Sequence, residues 1–332
     1  MATLKDIAKA TGFSTTTVSL VLSGKAQDGR VSQKTKDIVM DAAQALGYRV
    51  NVAARRLKAN IGPKLMVSVY MVLDTRTYGM MRFLLGLQAA VEKCEQEIEL
   101  VVHSYKSGML HTHIDAIALT GGAIICGASE EDLRFLDEQH IPVPIVLCLR
   151  NSNKYFTVNI NHLQIGAMAA GIFAQRGHRH ALVIDSTKYF AGMNDWTGQF
   201  AKAAGDYGLQ VTQLNVPNET RGGYKAGQKL CKMQPLPDCV FAVSNAIAIG
   251  ALRACSEHGI QIPNQLELIS VGIDIADFEE FTNVSVSTIF VPMEKIAEEG
   301  LRLLLLQLGD STVKPFNMEL PITYKPRESC GG

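Results

Sequence analysis

Beyond Pro63 the apolar residues follow two alternating rhythms. Short apolar runs, LMVSVYMVL, IELVVHSY, AIICG, PVPIVLCL, TVNIN, HALVID, LQVTQLN, CVFAV and LELISVGID, have the length and content of buried strands. Between them apolar residues recur at helical spacing, predicting helices through Phe83 to Gln96, Leu163 to Arg176, Trp196 to Tyr207 and Ala246 to His258. Strand and helix in succession predict parallel sheets covered on both faces, an α/β architecture. The strands are too many for one small sheet, so two doubly wound lobes are expected. The segment EKIAEEGLRLLLLQL is too short for sustained heptads and too apolar for a solvated arm, so it should lie against a sheet.

The first sixty residues follow a different pattern. Thr3 and Asp6 have the spacing of a capping box, so a helix should start at Leu4 with Leu4, Ile7 and Ala8 on its apolar face. Gly12 breaks it, and Ser14 caps a second helix in which Thr17, Val18, Val21 and Leu22 alternate between core and surface. Thr15, Thr16, Ser19 and Leu20 are left facing outward. Threonine is a poor helix filler, so an exposed run of it calls for a reason beyond stability. Short hydroxyls can bond phosphates and base edges, and threonine methyls can touch the thymine methyl. A third helix, capped by Ser32, should run through Ile38, Val39, Ala42, Ala43 and Leu46 to a stop at Gly47. Asn51 can then cap a short helix, VAARRL, that is marginal in water unless something packs on it.

Charge separates the same two regions. The formal net charge of the whole chain is zero, yet residues 1–60 carry ten lysines and arginines against four aspartates, leaving an equal acidic surplus on the remainder. Basic charge gathered in one small module suits a polyanion. The seven cysteines, at 94, 126, 148, 231, 239, 255 and 330, have no C-x-x-C spacing and mostly sit in apolar runs. Buried thiols in a reducing compartment are expected, and with no signal-like leader and no membrane-spanning run, a cytoplasmic location.

On these residues the chain resembles the lactose-repressor/galactose-repressor (LacI/GalR) family. The matching segments are TLKDIAKATGFSTTTVSLVLSG, RVSQKTKDIVMDAAQALGY, NVAARRLKAN, RGHRHALVI, PLPDCVFAVSNAIAIGAL, SVGID and the terminal RES. The resemblance implies a three-helix helix-turn-helix domain at residues 1–50, a hinge helix and linker at 51–61, and a two-lobed, periplasmic-binding-protein-like effector and dimerisation domain at 62–332. Its lobes would comprise about 62–160 plus 290–320, and 161–289 plus 321–332, joined by three crossings with a ligand cleft at strand carboxyl ends. It further implies that Thr15, Thr16 and Leu20 read bases, that Ser14, Thr17 and Tyr48 approach phosphates, and that Asn51, Ala54, Arg55, Leu57 and Lys58 form the hinge contacts. Leu57 would wedge into the minor groove, an apolar blade flanked by the charges of Arg55, Arg56 and Lys58. Leucine at position 20, where many members carry arginine or histidine, implies a half-site read by apolar contact. Val50 replaces the proline often found before the hinge asparagine.

The effector region departs from the family pattern. Trp196, the only tryptophan, stands where an arginine is usual, Gln199 where a glycine is, and Asn161-His162 replaces Asp-Asn after the crossing strand. Asn245 matches the ligand-binding asparagine, Ala246 replaces the aspartate after it, and Asp274 matches. The expected pocket thus keeps Asn245 and Asp274 as polar anchors beside Trp196, with Asn161 and, from the first lobe, Asp74, Tyr78 and Arg150 as further candidates. Trp196 either stacks on a ligand or fills a cleft that has lost its small-molecule role.

Catalytic and metal signatures are lacking. The H-x-H pairs His111/His113 and His178/His180 have no accompanying ligands, Gly121-Gly122 reads as a tight turn, and no G-x-S-x-G or Walker lysine occurs. The expected protein is a DNA-binding regulator, a repressor and not an enzyme, with neither cofactor nor metal. Its partners would be a palindromic duplex operator, a second copy of itself, and a sugar or sugar-like effector; a protein coregulator is the alternative to the effector. Since the sequence ends at RESCGG without a leucine-rich helix, a dimer is expected in place of a tetramer.

Overall fold

The structure, a computed structural model, describes residues 4–22, 31–45, 64–72, 77–187, 193–273 and 279–331. They belong to two compact units, Met1–Lys64 and Leu65–Gly332.

The first unit contains α1 (Leu4–Thr11), α2 (Thr15–Leu22) and α3 (Gln33–Ala45). Ile7, Val18, Val21 and Val39 form its core, with Ala8, Phe13, Val31 and Ala42 packed around them. Gly12 ends α1 with φ +74°, a conformation that glycine adopts without steric penalty. On α3, Val39 faces the core and Ile38 is 40% exposed.

The second unit holds two six-stranded sheets. Along the chain lie β1 (Leu65–Val72), α4 (Thr77–Glu92), β2 (Ile98–Tyr105), β3 (Gly122–Cys126), α5 (Glu130–Glu138), β4 (Ile145–Cys148) and β5 (Phe156–Ile160). There follow α6 (His162–Gln175), β6 (His180–Ser186), α7 (Met193–Asp206), β7 (Gln210–Val216), α8 (Thr220–Leu230), β8 (Cys239–Ala242), α9 (Asn245–Glu257) and β9 (Glu267–Gly272). The last elements are β10 (Ser287–Phe290), α10 (Met293–Gly309), β11 (Asn317–Leu320) and β12 (Thr323–Lys325). One sheet has the order β11-β5-β4-β3-β1-β2 and the other β12-β10-β9-β8-β6-β7. Pairing is parallel throughout except between β10 and β12.

The chain passes between the sheets after Ile160, after Phe290 and after Leu320. The two doubly wound lobes expected from the strand count are therefore present, and the EKIAEEG segment, as α10, buries Ile296, Ala297, Leu301, Leu303 and Leu304 against the first sheet. Gly121-Gly122 is corrected from a turn to a strand entry: Gly121 donates to the carbonyl of Met66, and Gly122 opens β3. His111 and His113 lie in a 3-10 turn, Leu110–His113, and not on a strand.

The RGHRH segment pins the carboxyl-terminal end of the chain. Arg176 and His178 both bond Glu267, to which the Cys330 thiol also donates at 3.3 Å. Burial pushes the Glu267 carboxyl up, but the bonds from Arg176 and His178 outweigh it and hold the group below its ordinary range. His180 instead pairs with Thr212. All seven cysteines are free thiols, with Cys126, Cys148, Cys239, Cys255 and Cys330 buried. Among the described residues there is no group of three potential metal ligands, and no helix is long and apolar enough to cross a membrane.

Candidate functional site

Two constellations come forward, one in each unit. In the first, Ser14 precedes α2, and its Oγ accepts the Thr17 backbone N–H at 3.1 Å while sharing a 2.9 Å hydrogen bond with the Thr17 hydroxyl. The cap satisfies a donor that the helix cannot, and it fixes the direction in which α2 leaves the turn. Val18 and Val21 then point inward, and Thr15 and Thr16 are exposed, with Thr17 and Leu20 at the margin. Hydroxyl and methyl groups are thus presented on the first turn of a helix whose other face is fixed in a core. Tyr48, Asn51, Ala54, Arg55, Leu57 and Lys58 lie outside the described residues.

The second constellation lies where the chain leaves the first lobe. Arg150 follows β4, Asn161 follows β5, and Trp196 sits on α7 beside α6. Strand carboxyl ends are where open α/β sheets collect ligands. Leu149 holds φ +62°, a strained value for a side chain branched at Cγ, and it directs Arg150 inward. Arg150 is 6% exposed and donates to the carbonyls of Ala128, Leu149 (2.6 Å) and Gly127 (3.5 Å). Asn161 caps α6 through a 3.2 Å bond from the Leu163 N–H, and its amide reaches Glu319 at 3.4 Å.

Trp196 is 4% exposed, and its indole N–H donates to Nδ1 of His162 at 3.1 Å with the two rings 20° from parallel. The indole is therefore no open wall for a ligand; it backs the histidine. Burial, seconded by the charge of Arg150, pushes His162 down to about 4 against the opposing pull of Asp195, so the imidazole is neutral at pH 7. Sequence reasoning noted His162 as a departure without placing it in the site. The available signal was a polar Asn-His pair directly after a buried strand.

Asn245 opens α9 in the second lobe. Its amide nitrogen donates to Glu279 at 2.6 Å, and its oxygen accepts from Ser270 at 2.9 Å. Glu279 in turn takes the Ile273 N–H and lies 3.4 Å from Arg327. The structure thus pairs His162 with Trp196 at the lobe crossing, with Arg150 near enough to act on the imidazole by its charge, and ties Asn245 to Ser270 and Glu279. Asp74, Asp274 and the Tyr78 side chain lie outside the described residues.

Comparison with known proteins finds a match to the family described as bacterial regulatory proteins, lacI family, over residues 3–51, and to a periplasmic binding protein-like domain over residues 170–330. An HTH-type transcriptional repressor PurR of Actinobacillus pleuropneumoniae serotype 3 (strain JL03) is 26% identical over 338 residues, covering 96% of this chain and 95% of its own. The crystal structure of a LacI family transcription regulator from Clostridium acetobutylicum superposes with a TM-score of 0.74 at 26% identity, over 78% of this chain and 99% of its own. The lac repressor dimer bound to operator and the anti-inducer ONPF gives a TM-score of 0.71 over 99% of this chain and 98% of its own; at 18% identity that likeness is one of fold.

Proposed function

We propose that this chain, which matches the lacI family over residues 3–51, a periplasmic binding protein-like domain over residues 170–330 and repressors along nearly its whole length, is a LacI-family sequence-specific transcriptional repressor controlled by a small effector between its lobes. The observation that carries this reading is α2, a capped helix with Thr15 and Thr16 exposed on its first turn, within a segment bearing the basic surplus of the chain. A helix of that kind enters a major groove with its amino-terminal residues against base edges, while lysines and arginines hold the phosphates.

The repressor acts in the cytoplasm as a homodimer. Met81, 45% exposed, and Leu85, 50% exposed, lie one turn apart on α4 and offer apolar surface for self-association. A two-fold dimer requires an inverted-repeat operator. Each subunit places Thr15, Thr16 and Leu20 in one half-site with Ser14, Thr17 and Tyr48 near phosphates. The hinge around Asn51, Ala54, Arg55 and Lys58 presents Leu57 to the minor groove at the centre. Effector binding changes the separation of the hinges, and DNA and effector then alter each other's affinity by the same factor. No step calls for a metal or an organic cofactor.

Footprinting of the full chain on genomic fragments tests this. Leu57→Ala should weaken binding to the protected sites far more than binding to random duplex, whereas Arg55→Ala should mainly reduce the salt sensitivity. Equal losses on both DNAs for Leu57→Ala would contradict the wedge. A second reading, a protein coregulator over a vestigial cleft, draws on the burial of Trp196. It requires a partner protein that co-purifies with the chain and changes its DNA affinity.

A further inference from the structure

Where the chain crosses from the first lobe to the second, it holds a buried hydrogen-bond donor with no acceptor among the described residues. His162 is the first residue of α6, directly after the capping Asn161. Its Nδ1 accepts the Trp196 indole N–H, and an accepting ring nitrogen carries no proton, so the proton of the neutral ring sits on Nε2. That Nε2 is buried and makes no hydrogen bond among the described residues. Leaving a buried donor unmatched costs roughly 1–3 kcal/mol, and such a group in a rigid setting calls for an explanation.

The setting is rigid for a visible reason. Gly166 lies one turn along α6 from His162, and a Cβ there would overlap the Trp196 carbonyl oxygen and come within 2.5 Å of the Phe200 nitrogen. The two helices touch backbone to backbone at that point, which fixes the indole against the imidazole. Surrounding charge narrows what can approach. Arg150 turns its guanidinium to the backbone carbonyls of Gly127, Ala128 and Leu149, and exposed Asp195 contributes the opposite sign. With the Arg150 guanidinium turned to backbone carbonyls, the imidazole presents one neutral N–H, and a single neutral donor matches a hydroxyl or carbonyl oxygen better than an anion, which calls for several charged donors.

We propose that His162 is the specificity-determining contact of the lobe crossing: when the lobes part enough to uncover it, its Nε2–H donates to a hydroxyl or carbonyl oxygen of an uncharged small molecule, with Trp196 as the residue that positions the imidazole. This rests on the reading of the lobe junction as an effector site. Glutamine can place an amide N–H near the Nε2 position, whereas phenylalanine keeps a ring and loses the donor.

The test is calorimetric titration of the full chain with glucose, cellobiose and uracil, and in parallel with glucose 6-phosphate. At least one uncharged probe should bind, a sugar identifying the hydroxyl source and uracil the carbonyl source. Phosphorylation should bring no gain over glucose. His162→Phe should then lose roughly tenfold or more in affinity and His162→Gln stay within about threefold. Nitrogen-15 spectra of the imidazole should show a proton on Nε2 alone at pH 7, and Trp196→Phe should abolish that preference and weaken the ligand as well. Failure of every uncharged probe, preference for the phosphate, an unchanged His162→Phe, or a proton on Nδ1 would each overturn the proposal. Retention of DNA by the same preparation separates the failures. A chain that binds duplex and ignores these ligands loses only the effector assignment, and one that binds no duplex loses the function proposed above.

Discussion

His162 also gives the protein a pH dependence that belongs to one side chain. Its ordinary value is 6.5, and in the folded chain it lies at about 4. Between those values the unfolded chain binds more protons than the folded one, so stability is full above the upper value and falls as pH drops towards the lower, by at most about 3 kcal/mol. Urea unfolding at pH 7 and pH 4 should show the wild type losing more stability than His162→Gln; equal losses would place the imidazole in water. The capping serine of α2 allows a second test, because Ser14→Ala removes the acceptor for the Thr17 N–H. It should cost about 1 kcal/mol, read as a lower urea midpoint for the amino-terminal helices. At this scale the exposed face of α2 was legible, since helical spacing alone decides which of Thr15 to Leu22 face inward. The pairing of His162 with Trp196 was not, because it joins residues far apart in sequence through two helices whose contact depends on one glycine. Nor could the sequence reveal that the Asn245 amide is taken up by Ser270 and Glu279.

Helices and strands were readable where periodicity and propensity agree, and missed where packing overrides propensity. The helix α8, TRGGYKAGQKL, carries three glycines, a composition that argues against helix on intrinsic grounds. Two of its glycines, Gly223 and Gly227, are explained by α9, and Gly222 by the Pro217 backbone. A Cβ at Gly223 would overlap the backbone of Ile247, one at Gly227 would lie 2.6 Å from the Ala254 Cβ, and Gly250 on α9 approaches Thr220 and Tyr224 just as closely. Two backbones in contact are stabilised by close packing that the lost helix propensity does not outweigh. Gly223→Ala should therefore destabilise the chain by about 1–3 kcal/mol in chemical denaturation, although alanine is the better helix former. A stabilised variant would show that the helices have room to separate. The three short strands β10 to β12 escaped sequence reasoning for a related reason. Their residues, STIF, NMEL and TYK, lack the continuous apolar run that marks the equally short β4 and β8, and their pairing is set by chain crossings between lobes.

For the molecule as a whole, the alternation of apolar runs with helical stretches gave the two parallel sheets, because βαβ units leave few other ways to bury both faces. Charge added the division of labour. A chain of zero net charge keeps its basic surplus in the segment that also holds the capped threonine helix, so the affinity for duplex should reside there and fall with salt. In vitro selection by the full chain from random duplexes of about 30 base pairs, long enough for two half-sites, tests that claim most directly. The expected product is an inverted repeat bound at least ~1,000-fold more tightly than unselected DNA, with Thr16→Ala losing the preference while keeping the weak binding to any duplex. Retention of all sequences alike, or of none, would contradict the account.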